Sequence, residues 1–184
     1  MMTENEQLHK SAQVWTQIES HPCFLRATHV LLYWSMPGEV HTHDFIWHWQ
    51  DKKRIILPVI SGEQLRMVPF EGTASLRKHA HLKLSEPQGN DFPDPQAIEL
   101  AIVPGIAFDR SLHRLGRGKG YYDRLLPQLR TYNIGVCFDF QLLDEISVEE
   151  WDVSMDEVIC NFPSHALNPE IYFTTPLFFH RPER

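Results

Sequence analysis

A run of alternating glycines and cations is the part of the chain whose residue types best suit chemistry. Its order is Gly116, Arg117, Gly118, Lys119, Gly120. Glycine lets backbone N–H groups turn toward an anion and approach it closely. Arginine and lysine supply the opposite charge, the first as a planar fork and the second as a mobile point charge. The pattern predicts a phosphate-binding loop; a flexible, solvated basic loop is the alternative interpretation.

The two widely used phosphate motifs do not fit this run. The sequence GxxxxGK[ST] needs Ser or Thr after its lysine, and GxGxxG needs a glycine where Tyr121 stands. The run is therefore neither a standard P-loop nor a dinucleotide-binding signature. Arg114 and Arg117 are expected to bind phosphate oxygens through two N–H groups each. A helix that begins at Tyr121 would aim its free N–H groups at the same anion. Asp123, in its first turn, could hold a Mg²⁺ that bridges phosphates.

Composition restricts the partners. The 184 residues predict a single domain, and a net charge of -7 argues against nucleic acid and against an anionic membrane surface. Neither a signal-peptide pattern nor an apolar stretch of about 20 residues is present in the sequence. The three cysteines, Cys23, Cys137 and Cys160, are far apart and predict no disulfide. We expect a cytoplasmic monomer that binds small molecules.

Short apolar runs alternate with helical patterns along the chain. This alternation predicts an α/β fold with a largely parallel sheet covered on both faces. Ligands of such sheets bind beyond the carboxyl ends of the strands, which places the loop after Val103 at the site. Predicted strands cover residues 30–34, 55–60, 100–103, 134–138 and 158–160, with a weak hairpin over 65–70. Predicted helices cover residues 8–18, 43–49 (capped by Thr42), 121–129 and 142–150.

Several stretches resemble the 5-formyltetrahydrofolate cyclo-ligase family. The signature is Val103-Pro-Gly-Ile-Ala-Phe-Asp followed by Arg114-Leu-Gly-Arg-Gly-Lys-Gly-Tyr-Tyr-Asp123, which is long and specific. Shorter matches are Ser35-Met-Pro-Gly-Glu-Val-His-Thr42, Lys53-Arg-Ile-Ile-Leu-Pro58 and Glu86-Pro87. The resemblance covers about residues 10–160. It implies a three-layer α/β fold (NagB/RpiA/CoA-transferase-like) over a single domain of residues 1–184.

The resemblance also implies an activity. Family members convert 5-formyltetrahydrofolate and ATP, with Mg²⁺, to 5,10-methenyltetrahydrofolate, ADP and phosphate. By this likeness Arg117 and Lys119 are catalytic, and Asp123 and Asp152 hold Mg²⁺. Folate contacts are implied for Trp34 and Glu39 and for the run Arg117, Gly118, Lys119, Gly120, Tyr121. ATP contacts are implied for Arg114, Leu115, Gly116, Arg117, Gly118, Lys119, Gly120, Tyr121 and Tyr122.

The family's first helix carries a Lys-x-x-Leu-Arg element that contacts ATP phosphates, and we expect it to be missing from this chain. A second hypothesis is therefore a folate- or nucleotide-binding protein with weak or no turnover. A third is an enzyme like the sugar-phosphate isomerases or CoA-transferases, which rests on fold analogy alone.

Other chemistry-bearing residues have plainer interpretations. We expect His41, His43 and His48 on a solvated surface, and no metal role for His79 or His81. His113 is expected to be a polar loop residue. Without the resemblance, Glu39 would be a solvated turn residue and Asp152 a surface acid or helix cap. The aromatic tail from Pro169 is expected to pack on the body of the domain.

Overall fold

A seven-stranded sheet forms the centre of the computed structural model, which describes residues 2–78, 85–161 and 179–180. Its order is β12-β11-β9-β6-β1-β2-β3, and the five strands from β11 to β2 run parallel. The edge strands β3 and β12 run antiparallel to their neighbours. The strands are β1 (His29–Leu31), β2 (Arg54–Ser61), β3 (Gln64–Pro69), β4 (Leu76–Lys78), β5 (Ser85–Pro87), β6 (Leu100–Pro104), β7 (Ala107–Asp109), β8 (Arg114–Leu115), β9 (Tyr132–Cys137), β10 (Leu142–Leu143), β11 (Glu157–Cys160) and β12 (Phe179–His180).

Helices cover both faces of this sheet, as predicted. On one face, Val14, Ile18, Phe24 and Phe45 pack on the strands, and on the other face Leu125 does so. Both layers follow from apolar residues that recur at helical spacing. The helices are α1 (Glu4–Ser20), α2 (Pro22–Arg26), α3 (His43–Trp49) and α4 (Tyr121–Leu125), with 3₁₀ turns at Thr73–Ser75, Pro95–Ala97, Leu126–Gln128 and Asp139–Gln141.

The chain order of the strands reverses between β1 and β6. From β1 the sheet grows toward β2 and β3, whereas from β6 it grows toward β9 and β11. Loops that leave the carboxyl ends of β1 and β6 therefore diverge and leave a crevice between them. The two small sheets lie outside this frame: β10-β7-β8 follows β6, and β4 pairs with β5.

The boundaries of α1 and α3 show how local signals succeed and fail. Thr3 caps α1, since its hydroxyl accepts from the N–H of Glu6 in a capping box. Thr42 does not cap α3: its hydroxyl accepts from the N–H of Ser35 at 3.0 Å. The hydroxyl of Ser35 accepts in turn from the N–H of Thr42 at 3.1 Å. This reciprocal pair closes the loop after β1 on itself.

Two predicted helices are wrong in extent or type. The helix predicted for residues 121–129 ends at Leu125, because Pro127 has no N–H to continue the ladder and turns the chain into a 3₁₀ segment. The helix predicted for residues 142–150 does not exist. Leu142 pairs with Phe108 of β7 instead, and the N–H of Ile146 donates to the Asp109 carboxylate at 2.9 Å.

Some predictions lie outside the described residues. His79 and His81 are among them, as is most of the aromatic tail that begins at Pro169. Of that tail, the backbone of β12 is described, and it pairs with β11 in the register Val158↔Phe179.

Asp109 fixes the turn between β7 and β8. Its fully buried carboxylate accepts from the N–H groups of Ser111 (2.9 Å) and His113 (3.0 Å) and lies 3.0 Å from the His113 ring. Burial by itself would raise the pKa of Asp109, but hydrogen bonds from His113 and Ile146 outweigh it and hold that pKa below its usual value. This turn places Arg114, the first residue of β8, at the crevice.

We expect Asp109→Asn to lower the free energy of unfolding by about 3 kcal/mol, because the amide would face donors with a donor of its own. Urea denaturation measures the change. Asp44→Asn is the matched control, since the Asp44 side chain is 88% exposed, and it should change the free energy by less than about 0.5 kcal/mol.

The same pair of proteins gives a pH test. A carboxylate with a lowered pKa contributes stability above its ordinary pKa and loses that contribution as the pH falls through the lowered value. The difference in the free energy of unfolding between wild type and Asp109→Asn should therefore become smaller in strong acid. A gap that stays constant down to pH 2 would contradict this account.

Candidate active site

A cavity of about 340 Å³ occupies the crevice at the carboxyl ends of β1 and β6. Residues that follow these two strands line it, namely Tyr33 and Trp34 after β1 and Gly105 and Ile106 after β6. The cavity thus lies where the loop after Val103 was predicted to place a site. Its size suits a small organic molecule.

Apolar and aromatic side chains form one wall of the cavity. Pro58 and Ile60 contribute from β2, where alternate residues share a face, and Leu65 contributes from β3. Trp34 and Tyr121 add flat surfaces. A slot of this kind suits a planar ring system, provided that polar groups at its edges fix the orientation.

His43 supports the Trp34 wall from behind. The two rings stack with centroids 3.9 Å apart and planes 18° apart. Burial, together with the neighbouring His41, lowers the pKa of His43 to about 4, so the imidazole is neutral at pH 7. The prediction that His43 lies on a solvated surface is wrong: it is half-buried, and among the described residues its Nε2 atom has no hydrogen-bond partner.

The glycine-rich loop lines the opposite side of the cavity. Gly118 (φ +76°) and Gly120 (φ +61°) adopt the left-handed conformation that glycine tolerates best. These two turns present Arg117 and Lys119 toward the cavity. Within the described part of the chain, the Lys119 ammonium has no hydrogen-bond or ion-pair partner, so it is available to an anionic ligand.

Arg117 reaches across the cavity to Glu39. Its Nη2 lies 3.1 Å from Glu39 Oε1, and the second carboxylate oxygen accepts from the N–H of Met36 at 2.9 Å. The Glu39 side chain is 11% exposed and that of Arg117 is 54% exposed. Glu39 is therefore fixed by a hydrogen bond from its own loop, whereas the more exposed Arg117 side chain can leave the pair at lower cost.

Arg114 makes a different kind of ion pair. Its Nη2 binds both oxygens of Asp123 at 3.0 and 2.8 Å, and the two side chains are only 5% and 14% exposed. The guanidinium also lies 5.4 Å from the ring centre of Tyr122. Burial and the nearby charge of Glu39 raise the pKa of Tyr122, so this phenol keeps its proton. Arg114 reaches the cavity wall with its charge already matched.

The loop is also attached to the β2–β3 hairpin. The Tyr121 hydroxyl donates to the carbonyl of Gly62 at 3.2 Å, and Arg124 donates to the carbonyls of Glu63 (2.9 Å from Nε) and Lys119 (2.7 Å). The helix α4 between these contacts has only five residues, so the predicted helix N-terminus contributes little dipole to an anion site.

The two predicted metal ligands occupy one corner of the molecule. Asp123 Oδ1 accepts from the N–H of Val153 at 3.3 Å, which brings the residue after Asp152 against it. Asp152 Oδ2 accepts from the N–H of Glu149 at 2.8 Å. No group of three or more His, Cys, Asp or Glu side chains arranged for a metal occurs in the described ranges. Two carboxylates with unused lone pairs still fit Mg²⁺ when phosphates and water supply its other ligands.

The structure thus brings most of the predicted site residues to one cavity. Pro104 and Met36 also line this cavity. Sequence reasoning did not assign Glu86 a role, although Glu86-Pro87 belongs to the resemblance. Predicted residues on the cavity wall are Trp34, Glu39, Arg114, Gly116, Arg117, Lys119, Tyr121 and Tyr122. Predicted residues that do not line it are Leu115, Gly118, Gly120, Asp123 and Asp152.

Comparison with known proteins identifies relatives. The chain is 30% identical over 167 residues to a 5-formyltetrahydrofolate cyclo-ligase of Escherichia coli, covering 86% of this chain and 91% of that protein. It is 31% identical over 170 residues to a probable 5-formyltetrahydrofolate cyclo-ligase of Schizosaccharomyces pombe, covering 82% and 83%.

Solved structures agree with this fold. The NMR structure of the 5,10-methenyltetrahydrofolate synthetase of Aquifex aeolicus matches with a TM-score of 0.76 and 31% identity, covering 86% of this chain and 81% of that one. A 5,10-methenyltetrahydrofolate synthetase of Mycoplasma pneumoniae matches with a TM-score of 0.67 and 24% identity, covering 86% and 89%. The sequence model of the 5-formyltetrahydrofolate cyclo-ligase family matches residues 1–161, and the chain is an enzyme of that family.

Proposed function

We propose that this protein closes a five-membered ring between N5 and N10 of 5-formyltetrahydrofolate at the expense of ATP, with Mg²⁺, and releases 5,10-methenyltetrahydrofolate, ADP and phosphate. One observation carries the proposal: one cavity joins a flat aromatic slot to a glycine-rich loop, whose lysine has no partner within the described ranges. The slot suits the pterin ring, and the loop suits the phosphates that must meet it.

The chemistry requires that a poor leaving group be activated. The formyl oxygen attacks the γ-phosphorus of ATP, the bond to ADP breaks, and the N5 lone pair forms an iminium phosphate. N10 then attacks the former formyl carbon and loses its proton, and phosphate departs with the formyl oxygen. No protein nucleophile takes part, which agrees with a cavity built from cations, aromatic rings and two glutamates.

Arg117 and Lys119 carry the electrostatic part of this scheme. Phosphoryl transfer depends mainly on positioning and on neutralising charge over the phosphate oxygens. Lys119 has no hydrogen-bond or ion-pair partner among the described residues. Arg117 must leave Glu39 before it can bind phosphate, and its exposed side chain makes that exchange inexpensive. Once released, the Glu39 carboxylate can accept N–H groups of the pterin.

Asp123 and Asp152 would hold Mg²⁺ between them and the phosphates. When bound, the ion supplies positive charge for the β- and γ-phosphate oxygens. Asp123 would keep Arg114 in place at the same time, because its two oxygens offer more acceptor sites than the present contacts use.

The proposed substrates are small molecules, and we propose a monomeric cytoplasmic enzyme that binds neither nucleic acid nor membrane. Across the described residues, none of the helices has the length and apolar character to cross a bilayer. The second candidate, a folate- or nucleotide-binding protein without turnover, predicts binding with no product.

One assay separates these candidates. The protein is mixed with 5-formyltetrahydrofolate, Mg²⁺ and ATP, and the near-ultraviolet absorbance of the methenyl product is followed. We expect a rise that requires ATP and matches the ADP released mole for mole. Calorimetric binding of 5-formyltetrahydrofolate without any rise would favour the binding protein and contradict the proposed turnover.

Lys119→Ala tests the loop most cleanly, because no described contact of the side chain is lost on truncation. We expect kcat to fall about 100-fold, as for the loss of one preorganised charged donor, with the melting temperature unchanged. Arg110→Ala is the matched control: it removes an exposed cation from the same segment that does not line the cavity. Equal kcat values for the two variants would exclude Lys119 from the reaction.

The two carboxylates should respond differently to neutralisation. Asp123→Asn should raise the Mg²⁺ concentration needed for half-maximal rate and also lower the free energy of unfolding by about 3 kcal/mol, because Arg114 loses its buried partner. Asp152→Asn should raise the Mg²⁺ requirement with a stability loss of about 1 kcal/mol or less, since it only loses a turn contact. Unchanged Mg²⁺ titrations in both variants would show that neither residue binds the metal.

A further inference from the structure

Glu86 places a second buried carboxylate in the active-site cavity. It lies in β5, it lines the cavity, and only 6% of the residue is exposed. A carboxylate in an apolar cavity is costly unless hydrogen bonds or a counter-charge satisfy it. The contacts of Glu86 therefore indicate which kind of ligand group would satisfy this carboxylate.

The protein satisfies only one of the two oxygens. Glu86 Oε1 accepts from the N–H of Ile60 at 2.9 Å, where β2 has run past the end of β1 and its edge is open. Among the described residues, Oε2 has no hydrogen-bond partner and the carboxylate has no cationic partner. The anchored oxygen fixes the orientation of the carboxylate, and the free oxygen remains available to a bound molecule.

The other glutamate in the cavity is in the opposite condition. Both oxygens of Glu39 are occupied, one by Arg117 and the other by the N–H of Met36. One oxygen of Glu39 already binds a cation and the other a backbone N–H, whereas Oε2 of Glu86 has no partner among the described residues. Glu86 is thus the carboxylate that is preorganised as an acceptor.

The negative charge of Glu86 indicates which of the two substrates binds next to it. An unpaired carboxylate repels phosphate, and the cations Arg117 and Lys119 on the glycine-rich loop attract it. A reduced pterin carries several N–H donors on a flat ring, which match both the aromatic slot and a lone acceptor at its edge.

We infer that Glu86 is a specificity-determining residue that accepts a hydrogen bond from an N–H group of the pterin ring. The inference rests on the proposed function, and it adds a residue to the folate side of that site. Glu86 thereby selects a donor edge and orients the ring within the slot. A ring that turned an acceptor toward Oε2 would leave two acceptors facing each other in a buried place.

Glu86→Gln tests this inference with little change of shape. The amide oxygen can still accept from the N–H of Ile60, but an NH₂ donor then faces the donors of the pterin. We expect the Kd of 5-formyltetrahydrofolate, measured by calorimetry, to rise at least about 10-fold, the loss expected for a hydrogen bond to a charged group. The Kd of ATP and the melting temperature should stay unchanged. Glu63→Gln, an exposed position on the adjoining β2–β3 turn, is the matched control and should change neither Kd.

The fragment 5-formyltetrahydropterin, which lacks the aminobenzoyl-glutamate tail, locates the contact. Glu86→Gln should weaken this fragment by the same factor as the whole folate. A weakened folate with an unaffected fragment would place Glu86 against the tail and overturn the inference. Equal losses for folate and ATP would overturn it too, because they would indicate a merely structural role.

Glu86→Asp keeps the charge and covers the case in which the glutamine variant fails to fold. The shorter side chain cannot hold Ile60 and reach the ring together, so the Kd of the folate should again rise selectively. A wild-type Kd in a folded Glu86→Asp or Glu86→Gln variant overturns the inference alone. Wild-type protein that binds no 5-formyltetrahydrofolate overturns the proposed function and the inference with it.

Discussion

The buried ion pair between Arg114 and Asp123 is the constraint on which the site depends. It joins β8 to α4, and through the N–H of Val153 it also ties in the segment that leads to β11. The pair thus joins the two ends of the glycine-rich loop, whose residues Gly116, Arg117 and Lys119 line the cavity. Breaking a buried pair by removing one partner costs about 3–5 kcal/mol, a large share of the stability of a domain. The pair therefore holds β8 and α4 together, and its loss would cost more stability than few other single substitutions would match.

A comparison of the two arginine pairs shows which cation can act on a ligand. Arg117 and Glu39 meet with the arginine more than half exposed, and such pairs contribute about 1 kcal/mol or less. Arg114 and Asp123 meet almost out of contact with water. The ion pair of Arg117 is therefore the one that an anionic ligand would break at little cost, whereas breaking that of Arg114 would cost much more. Both arginines belong to the same sequence run and have the same chemistry, so their difference comes entirely from the depth at which the fold places them.

Much of the fold follows from patterns within the sequence. The parallel strands β2, β6, β9 and β11 and the helix α1 are confirmed close to their predicted bounds, because each is a continuous apolar run or a clear helical period. The failures occur where tertiary contacts override local preference. Residues 142–150 contain good helix formers. The N–H of Ile146 nevertheless donates to the Asp109 carboxylate, and Leu142 pairs with β7. Nothing near residue 146 in the sequence announces a partner 37 residues away.

The candidate site shows the same division between what local sequence predicts and what tertiary contacts decide. The residue types of the glycine-rich loop predicted a cation-lined anion site, and the structure turns that loop toward a cavity. Which of its charges remain free could not be predicted, because Glu39 and Arg117 are 78 residues apart and only the fold makes them neighbours. The same holds for His43, whose neutral ring supports Trp34 although its sequence context suggests a solvated surface. Residue type determines what a side chain is able to do, and its burial and partners determine whether it is available to do so. In this cavity Lys119 has no partner among the described residues, Arg117 has a half-exposed ion pair, and Arg114 has a buried one.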